Sequence, residues 1–480
     1  MSQRQIAFFM SKKMRIETIT QDFKADFYTP ISIFLRIRNA FRKPMLLEGN
    51  DYHSRAESSS IIGFESLVEI NVSHDKITIA TEQGVETKTL SPEDNLDLSL
   101  GEIMNTFRSI NDENNYGFFS YFGFEYAHLS ETQIETNHSE QRLPLATFIL
   151  YKYLIVLDHF HDTGKLIINK NLDSTEVYYN LNEILQLQPS SVLPFELTDE
   201  EVSSLNDNDF LNLVDTAKQH ILRGDVFQLV FSREFSVPYF GDDFQVYREL
   251  RTLNPSPYLF YADFETHRIL GSSPEKQLQV KNGIAEIHPI AGTVRKSGDE
   301  ETDKIAIEHL VTDDKENAEH TMLVDLARND LSKYCCNVKV KSYKEIQHFS
   351  HVIHLVSKVI GTCKNESALS VFNGTFPAGT LSGTPKPKAL ELINKYEPRK
   401  RDYYGGAIGF IGFDGNINLA IIIRSVFSKN NLLHYRAGAG IVLNSIAENE
   451  LQEVTNKLGA IRLAIQKANT TVHSTQNTTL

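Results

Sequence analysis

The sequence predicts an α+β protein in which antiparallel sheets are covered by helices, and three observations carry that prediction. In the second half of the chain, apolar runs follow one another through very short turns. "YLFYADF", "ILGSSPEKQLQV" and "IAEIHPIAG" are joined by "ETHR" and "KNG", and "GGAIGFIGF", "INLAIIIRSVFS" and "LLHYRAGAGIVL" by "DGN" and "KNN". Antiparallel neighbours use such turns, whereas parallel ones need a long crossover. Stretches of helical periodicity lie among them at 300–332, 367–374, 385–396 and 447–467, where helices would cover the sheets. Third, the one candidate phosphate loop, "FPAGTLSGTPKPKALELI" (376–393), misses the Walker A spacing. Only three residues separate Gly379 from Gly383, and Thr384 and Pro385 stand before Lys386. A doubly wound nucleotide fold is therefore rejected. What the loop keeps is a helix start whose free N–H groups attract an anion.

Taken in order, residues 1–20 are polar and mixed and are expected to form a flexible extension. Region 21–190 should contribute sheet: a helix at "ISIFLRIRNAF" (31–41), then strands at 61–74, 76–83, 144–159 and 165–169, all rich in β-branched and aromatic residues. The Pro-, Ser- and acid-rich stretch 185–208 reads as a linker. Region 191–467 follows, opening on a helix in which Phe210, Val214, Ala217 and Ile221 share a face and Gly224 ends the run. Residues 468–480 lack an apolar anchor and are expected to be a disordered tail.

The chain has 480 residues with 48 Lys+Arg against 62 Asp+Glu, a net charge of −14 and no basic block. That balance argues against nucleic acid or an anionic membrane surface as partner. Its three cysteines, Cys335, Cys336 and Cys363, support neither a disulfide framework nor a zinc site, which suits a reducing cytoplasm. No segment has the apolar length of a membrane span, and the N-terminal "IAFFM" is too short for a signal-peptide core.

Several residues suggest chemistry. Glu316 and Glu319 are i and i+3 on one predicted helix, with Glu319 in register with Leu323 and Leu326. Glu450, Glu453 and Lys457 form a similar stripe on the last helix. The bland readings are a solvated acidic first turn and a Glu453–Lys457 surface pair. The functional reading is a hard cation with oxygen ligands, Mg²⁺ rather than Ca²⁺. Arg424 sits in the apolar run "NLAIIIRSVF", read as a buried strand, and must meet an anionic ligand or an internal carboxylate. Gly438 and Gly440 either admit a ligand to the backbone or mark a bulge, and "YYGG" (403–406) is similar. His351 and His354 lie in an apolar run, where a core histidine is the commoner reading.

These residues fall in ordered motifs: "GDVFQLVFSR" (224–233), "NPSPYLFY" (254–261), "LGSSPE" (270–275), "PIAGT" (289–293), "AEHTMLVDLARNDL" (318–331), "SHVIHLVS" (350–357), "FPAGTLSGTPK" (376–386), "YGGAIGF" (404–410), "IIIRSV" (421–426), "AGAGIV" (437–442) and the final Glu-x-x-Glu helix. With them, over roughly half its length, the chain resembles the chorismate-utilising enzymes, most of all the large subunits of anthranilate synthase. The resemblance implies large antiparallel sheets packed as a sandwich with helices outside. It also implies a carbon–oxygen lyase that makes anthranilate and pyruvate from chorismate and ammonia. Glu319 and Glu453 would hold Mg²⁺, with Glu316 and Glu450 behind them, and the metal would grip the ring carboxylate. Tyr404, Arg424 and the backbone of Gly438, Ala439 and Gly440 would bind the enolpyruvyl carboxylate, with Gly292 and Thr293 beside the ring. Glu275 and His354 would be the acid–base groups, and Gln228 and Lys457 stand with them in the catalytic set. The loop at 376–387 would then meet a small dicarboxylate, with no nucleotide involved.

Two positions separate the family's branches. Gln228 replaces the lysine that activates water in isochorismate and salicylate synthases, and Ala291 replaces the lysine nucleophile frequent in aminodeoxychorismate synthases. Aminodeoxychorismate synthesis is the nearest rival reading, and a non-catalytic chorismate- or tryptophan-binding regulator the more distant one. The resemblance further implies a separate glutamine amidotransferase subunit as ammonia source and L-tryptophan as feedback inhibitor, bound near Gly49, Pro257, Tyr258 and Leu259. Here "LLEG" replaces the family's "LLES", so Gly49 lacks a hydroxyl that Ser58 to Ser60 could replace, and Val454 stands where a Thr is usual.

Overall fold

A computed structural model describes residues 14–49, 58–91, 95–111, 116–130, 141–348, 352–364 and 367–476. His351 lies outside them. The strands are hydrogen-bonded into one 23-stranded network, antiparallel at every pairing. Its spine is the long pair Ser59–Val72 and Ala146–Asp158. One wing runs from there through Phe118–Phe122, Ala407–Ile411, Ile417–Ile421 and Lys276–Lys281 to Val352–Cys363. The other runs through Met45–Gly49, Tyr258–Asp263, Arg268–Ser273, Ser425–Lys429 and Leu432–Ile441 to Gln228–Gly241. Strands from before and after residues 185–208 therefore pair directly.

Period-two alternation sorts the side chains into two cores. Phe119, Tyr121, Ile408 and Phe410 of the first wing meet Met45, Phe260, Ile269 and Phe427 of the second in one cluster. Their neighbours Phe118, Phe122, Leu46, Tyr261, Leu270 and Val426 point the other way, into a larger cluster with Phe34, Phe244, Leu331 and Leu458 of the helices. The protein is thus an antiparallel sandwich with helices on the outside. Among the described residues no helix is long and apolar enough to cross a membrane.

Three expectations need correction. Residues 16–20 are not a loose extension: Ile16–Lys24 is a strand paired with Thr163–Asn171, anchored by buried Ile16 and by Thr18 Oγ1 donating to Asn169 Oδ1 at 2.8 Å. Its mixed composition hid a strand whose partner lies about 150 residues away in sequence. The last helix, Ala447–Gln476, runs past residue 467 into the expected tail. The 300–332 helix is two, Glu300–Thr312 and Asp314–Tyr334, because Asp313 adopts an extended conformation and its carboxylate caps the second by accepting from Glu316 N at 2.9 Å.

Candidate active site

One cavity of about 580 Å³ opens where the strands Gln228–Gly241 and Leu432–Ile441 meet the helices Asp314–Tyr334 and Ala447–Gln476. Gln228, Glu275, Gly292, Glu316, Glu319, His354, Tyr404, Arg424, Gly438, Gly440, Glu450, Glu453 and Lys457 all line it. Residues spread over more than two hundred positions therefore converge on one space. Ala439 is fully buried in the core and lies outside the lining. Thr293 pairs with His354 across the ladder; its side chain lies outside the described residues.

The glycines have a steric reason. Gly438 and Gly440 sit in a ladder without register shift, which rules out the bulge reading. A Cβ at Gly440 would approach Gln228 Nε2 to 2.8 Å, and one at Gly438 would approach Phe231 O to 2.7 Å. Gly292 has a φ of +80°, and a Cβ there would meet Leu310 Cδ1 at 2.8 Å and Glu316 Oε2 at 3.3 Å.

The charged groups are unequal. Arg424 is not in a strand, as its apolar neighbours suggested; it occupies the kink between Ile417–Ile421 and Ser425–Lys429 with a left-handed φ of 49°. Among the described residues its guanidinium makes no hydrogen bond or ion pair, and burial disfavours its charge against the pull of Tyr404, Glu453 and Glu275. Arg436, also lining the cavity, is a contrast: its NH1 donates to Glu397 Oε2 at 3.0 Å and to Ser232 Oγ at 3.2 Å. An internal carboxylate answers Arg436, and among the described residues none at ion-pair distance answers Arg424.

Glu275 is pushed up to about 7 by burial, against the lowering effects of a hydrogen bond from Thr380 and of the Lys457 and Arg424 charges. Burial also lowers His354, whose Nδ1 lies 3.3 Å from Gly292 O. A carbonyl can only accept, so Nδ1 carries the proton and Nε2 is the basic nitrogen of a neutral ring. Tyr404 is buried and raised to about 12. Gln228 Nε2 donates to Glu319 Oε1 at 3.4 Å, while its Oε1 is buried without a partner. Lys457 Nζ donates to Gly438 O at 2.8 Å and pairs with Glu453 Oε1 at 2.5 Å. The Glu453–Lys457 pair thus exists, but inside the cavity lining rather than on a remote surface.

Among the described residues no group of three or more His, Cys, Asp or Glu side chains stands close enough to hold a metal ion. The donors that line the cavity are nonetheless carboxylates from two helices, Glu316 and Glu319 on one and Glu450 and Glu453 on the other. Such a hard-oxygen set fits a hard cation whose shell a substrate carboxylate and water complete.

The loop at 376–387 behaves differently from its expected role. Lys386 is buried and turned away, its Nζ donating to Asp330 Oδ2 and to Thr375 O, both at 2.9 Å. The helix Lys386–Tyr396 contributes no cavity residue; the loop instead sends Thr380 and Leu381 into the lining. Reasoning from sequence missed these two, and Arg436 as well. Arg436 carried the same signal as Arg424, a guanidinium in an apolar run.

A second cavity, about 1140 Å³, lies between the sheet wings and shares no lining residue with the first. Gly49, Tyr258, Leu259 and Ser59 line it, and Pro257 does not. Tyr258 pairs with Gly49, which also pairs with Ser59. Ser58 Oγ donates to Gly49 O at 3.2 Å and Ser60 Oγ lies 2.7 Å from His159 Nε2, so both hydroxyls already have partners.

This sandwich, with a carboxylate- and arginine-lined cavity at one edge, belongs to a defined class of proteins. The family model described as "chorismate binding enzyme" matches residues 52–462, and the chain belongs to that family. It is similar to the anthranilate synthase component 1 of Acetivibrio thermocellus, at 35% identity over 96% of this chain and 97% of the relative. The protein of the same name from Saccharolobus solfataricus is 36% identical over 92% and 98%. Among solved structures, anthranilate synthase component I from Streptococcus pneumoniae superposes with a TM-score of 0.72 at 31% identity, covering 86% of this chain and 93% of that one.

Proposed function

We propose that the chain is the chorismate-binding subunit of an anthranilate synthase, acting in the cytoplasm in tryptophan synthesis. Chorismate and ammonia would give anthranilate, pyruvate and water. The observation that carries this reading is Arg424, a half-buried guanidinium with no carboxylate at ion-pair distance among the described residues, facing a cavity that also holds a carboxyl group raised to about 7. A small multiply anionic substrate answers that arrangement.

In this reading Arg424 and Tyr404 bind the enolpyruvyl carboxylate, and the backbone at Gly438 and Gly440 admits it closely. Glu275, protonated up to about pH 7, gives its proton to the departing C4 hydroxyl. His354 Nε2 accepts a proton during aromatisation, its ring held by the Gly292 carbonyl. Glu319 and Glu453, supported by Glu316 and Glu450, would hold Mg²⁺, which supplies charge neutralisation at the ring carboxylate. Ala291 presents only a methyl group to the cavity and Gln228 a neutral amide, so neither position offers an amine nucleophile or a lysine to activate water, and Lys457, which also lines the cavity, is held by Gly438 O and Glu453. Ammonia is the nucleophile left, delivered by a separate glutamine amidotransferase subunit. The 1140 Å³ cavity beside Gly49, Tyr258 and Leu259 is the place for L-tryptophan as feedback inhibitor.

Purified protein supplied with chorismate, Mg²⁺ and ammonium should develop anthranilate fluorescence; accumulation of 4-amino-4-deoxychorismate would overturn the assignment. Glu319→Gln should abolish metal-dependent turnover, and unchanged activity would refute the metal role.

A further inference from the structure

We propose that Thr380 is the positioning residue for Glu275: its hydroxyl occupies one carboxyl oxygen and so dictates that the acid proton rides on the other. The inference rests on the chorismate reading above. Thr380 belongs to the short helix Gly379–Ser382, within a loop whose glycines and lysine suggested anion binding. Its Oγ1 donates to Glu275 Oε1 at 2.9 Å, and both residues line the catalytic cavity. Among the described residues this is the only hydrogen bond to the Glu275 carboxyl group.

A carboxylic acid has one proton and two oxygens. With Oε1 accepting from Thr380, the neutral acid keeps its proton on Oε2, the oxygen without a partner among the described residues. The hydroxyl thereby selects which oxygen donates and removes a rotational choice from the reacting group. The bond also strengthens as Glu275 gives up its proton, because an ionised acceptor makes the shorter, stronger hydrogen bond. Thr380 thus stabilises the product side of the proton transfer. Burial raises Glu275 and Thr380 opposes that rise, so the pair holds the acid near neutrality.

The loop is built for this task. Leu381 N bonds to Ala378 O at 3.0 Å and Ser382 Oγ to Ala378 O at 3.0 Å, closing the turn that carries Thr380. Gly379 lets the loop pack closely on the helix bearing Glu319: a Cβ there would lie 1.9 Å from Leu326 Cδ2, so the leucine would have to shift. The loop's lysine, by contrast, is spent on Asp330.

The test uses Thr380→Val, which keeps shape and removes the hydroxyl, and Thr380→Ser, which keeps the hydroxyl. Thr380→Val should lower kcat about tenfold with little change in the KM for chorismate, and Thr380→Ser should restore most of it. The Glu275 carboxyl titration, read by difference infrared spectroscopy against Glu275→Gln, should move up by about one pH unit in Thr380→Val, the size of one charge-assisted hydrogen bond. Three results would overturn the proposal: a raised KM with unchanged kcat, a Thr380→Ser variant as impaired as Thr380→Val, or an unmoved titration. The infrared titration needs no turnover, so a protein inactive on chorismate would sink the functional reading while the Thr380–Glu275 coupling is judged separately.

Discussion

Arg424→Ala should separate function from stability in opposite directions. In the free protein the guanidinium has no hydrogen-bond or ion-pair partner among the described residues, burial penalises its charge, and its backbone is held at a φ of 49°. Truncation therefore removes a desolvated cation without leaving a carboxylate unpaired, and the melting temperature should stay level or rise. With chorismate bound, the same truncation leaves a substrate carboxylate without its partner, which costs about 2–5 kcal/mol for a desolvated charge pair. At about 1.4 kcal/mol per tenfold, kcat/KM should fall by roughly 30-fold to 4,000-fold. Arg436→Ala supplies the control. It strips the buried Glu397 of one of its two guanidinium partners, Arg401 remaining, so it should destabilise by about 1.5–3 kcal/mol. The measurements are initial rates with chorismate and ammonium, and denaturant unfolding of both variants without substrate. A normal kcat/KM in Arg424→Ala, or a stability loss matching that of Arg436→Ala, would refute the claim that Arg424 waits for a ligand anion.

Other predictions follow from the same geometry. Glu275 is raised from its ordinary value to about 7, so the folded protein binds this proton more tightly than the unfolded chain. Its contribution to stability is present below the unfolded value, near pH 4.5, and is lost as pH rises through about 7. Glu275→Gln should therefore lose kcat yet be the more stable protein at pH 8, by on the order of 1–3 kcal/mol, with the gap closing toward pH 4; a constant gap across pH would contradict this. Lys386→Met should destabilise by about 1.5–3 kcal/mol, because the buried Asp330 loses its 2.9 Å partner and keeps Lys333 at 3.8 Å, and should leave the chorismate KM of the folded fraction unchanged; a KM rise of tenfold or more would restore the loop as an anion site. Gly49→Ser should tighten L-tryptophan inhibition about fivefold, the worth of one hydrogen bond, since its Cβ meets only Ser59 O at 3.2 Å; unchanged inhibition would place tryptophan elsewhere.

The sandwich was legible wherever alternation and tight turns were local, as in the hairpins from Tyr258 to Ile287 and from Ala407 to Ile441. It was hidden where a strand's partner was distant. Ile16–Lys24 looks polar until Thr163–Asn171 covers it, and Cys335–His348 is a charged edge strand with three register shifts. Site residues were readable where a side chain broke the local pattern, such as carboxylates on an apolar helix face or an arginine among isoleucines. Roles that depend on which of two partners wins were not readable. Lys386 goes to Asp330 instead of the cavity, Arg436 to Glu397, and Thr380 to Glu275. Each of those choices is made by residues more than thirty positions away, which no local spacing encodes.

The position at which the new nitrogen lands on the chorismate ring defines the reaction. Supplied with ¹⁵N-ammonium, chorismate and Mg²⁺, the protein should yield pyruvate and an aromatic amine whose ¹⁵N couples to the carbon next to the carboxyl-bearing one, the ortho position of anthranilate. Nitrogen at the para position with the enolpyruvyl group retained, or an oxygenated ring without ¹⁵N, would contradict the account.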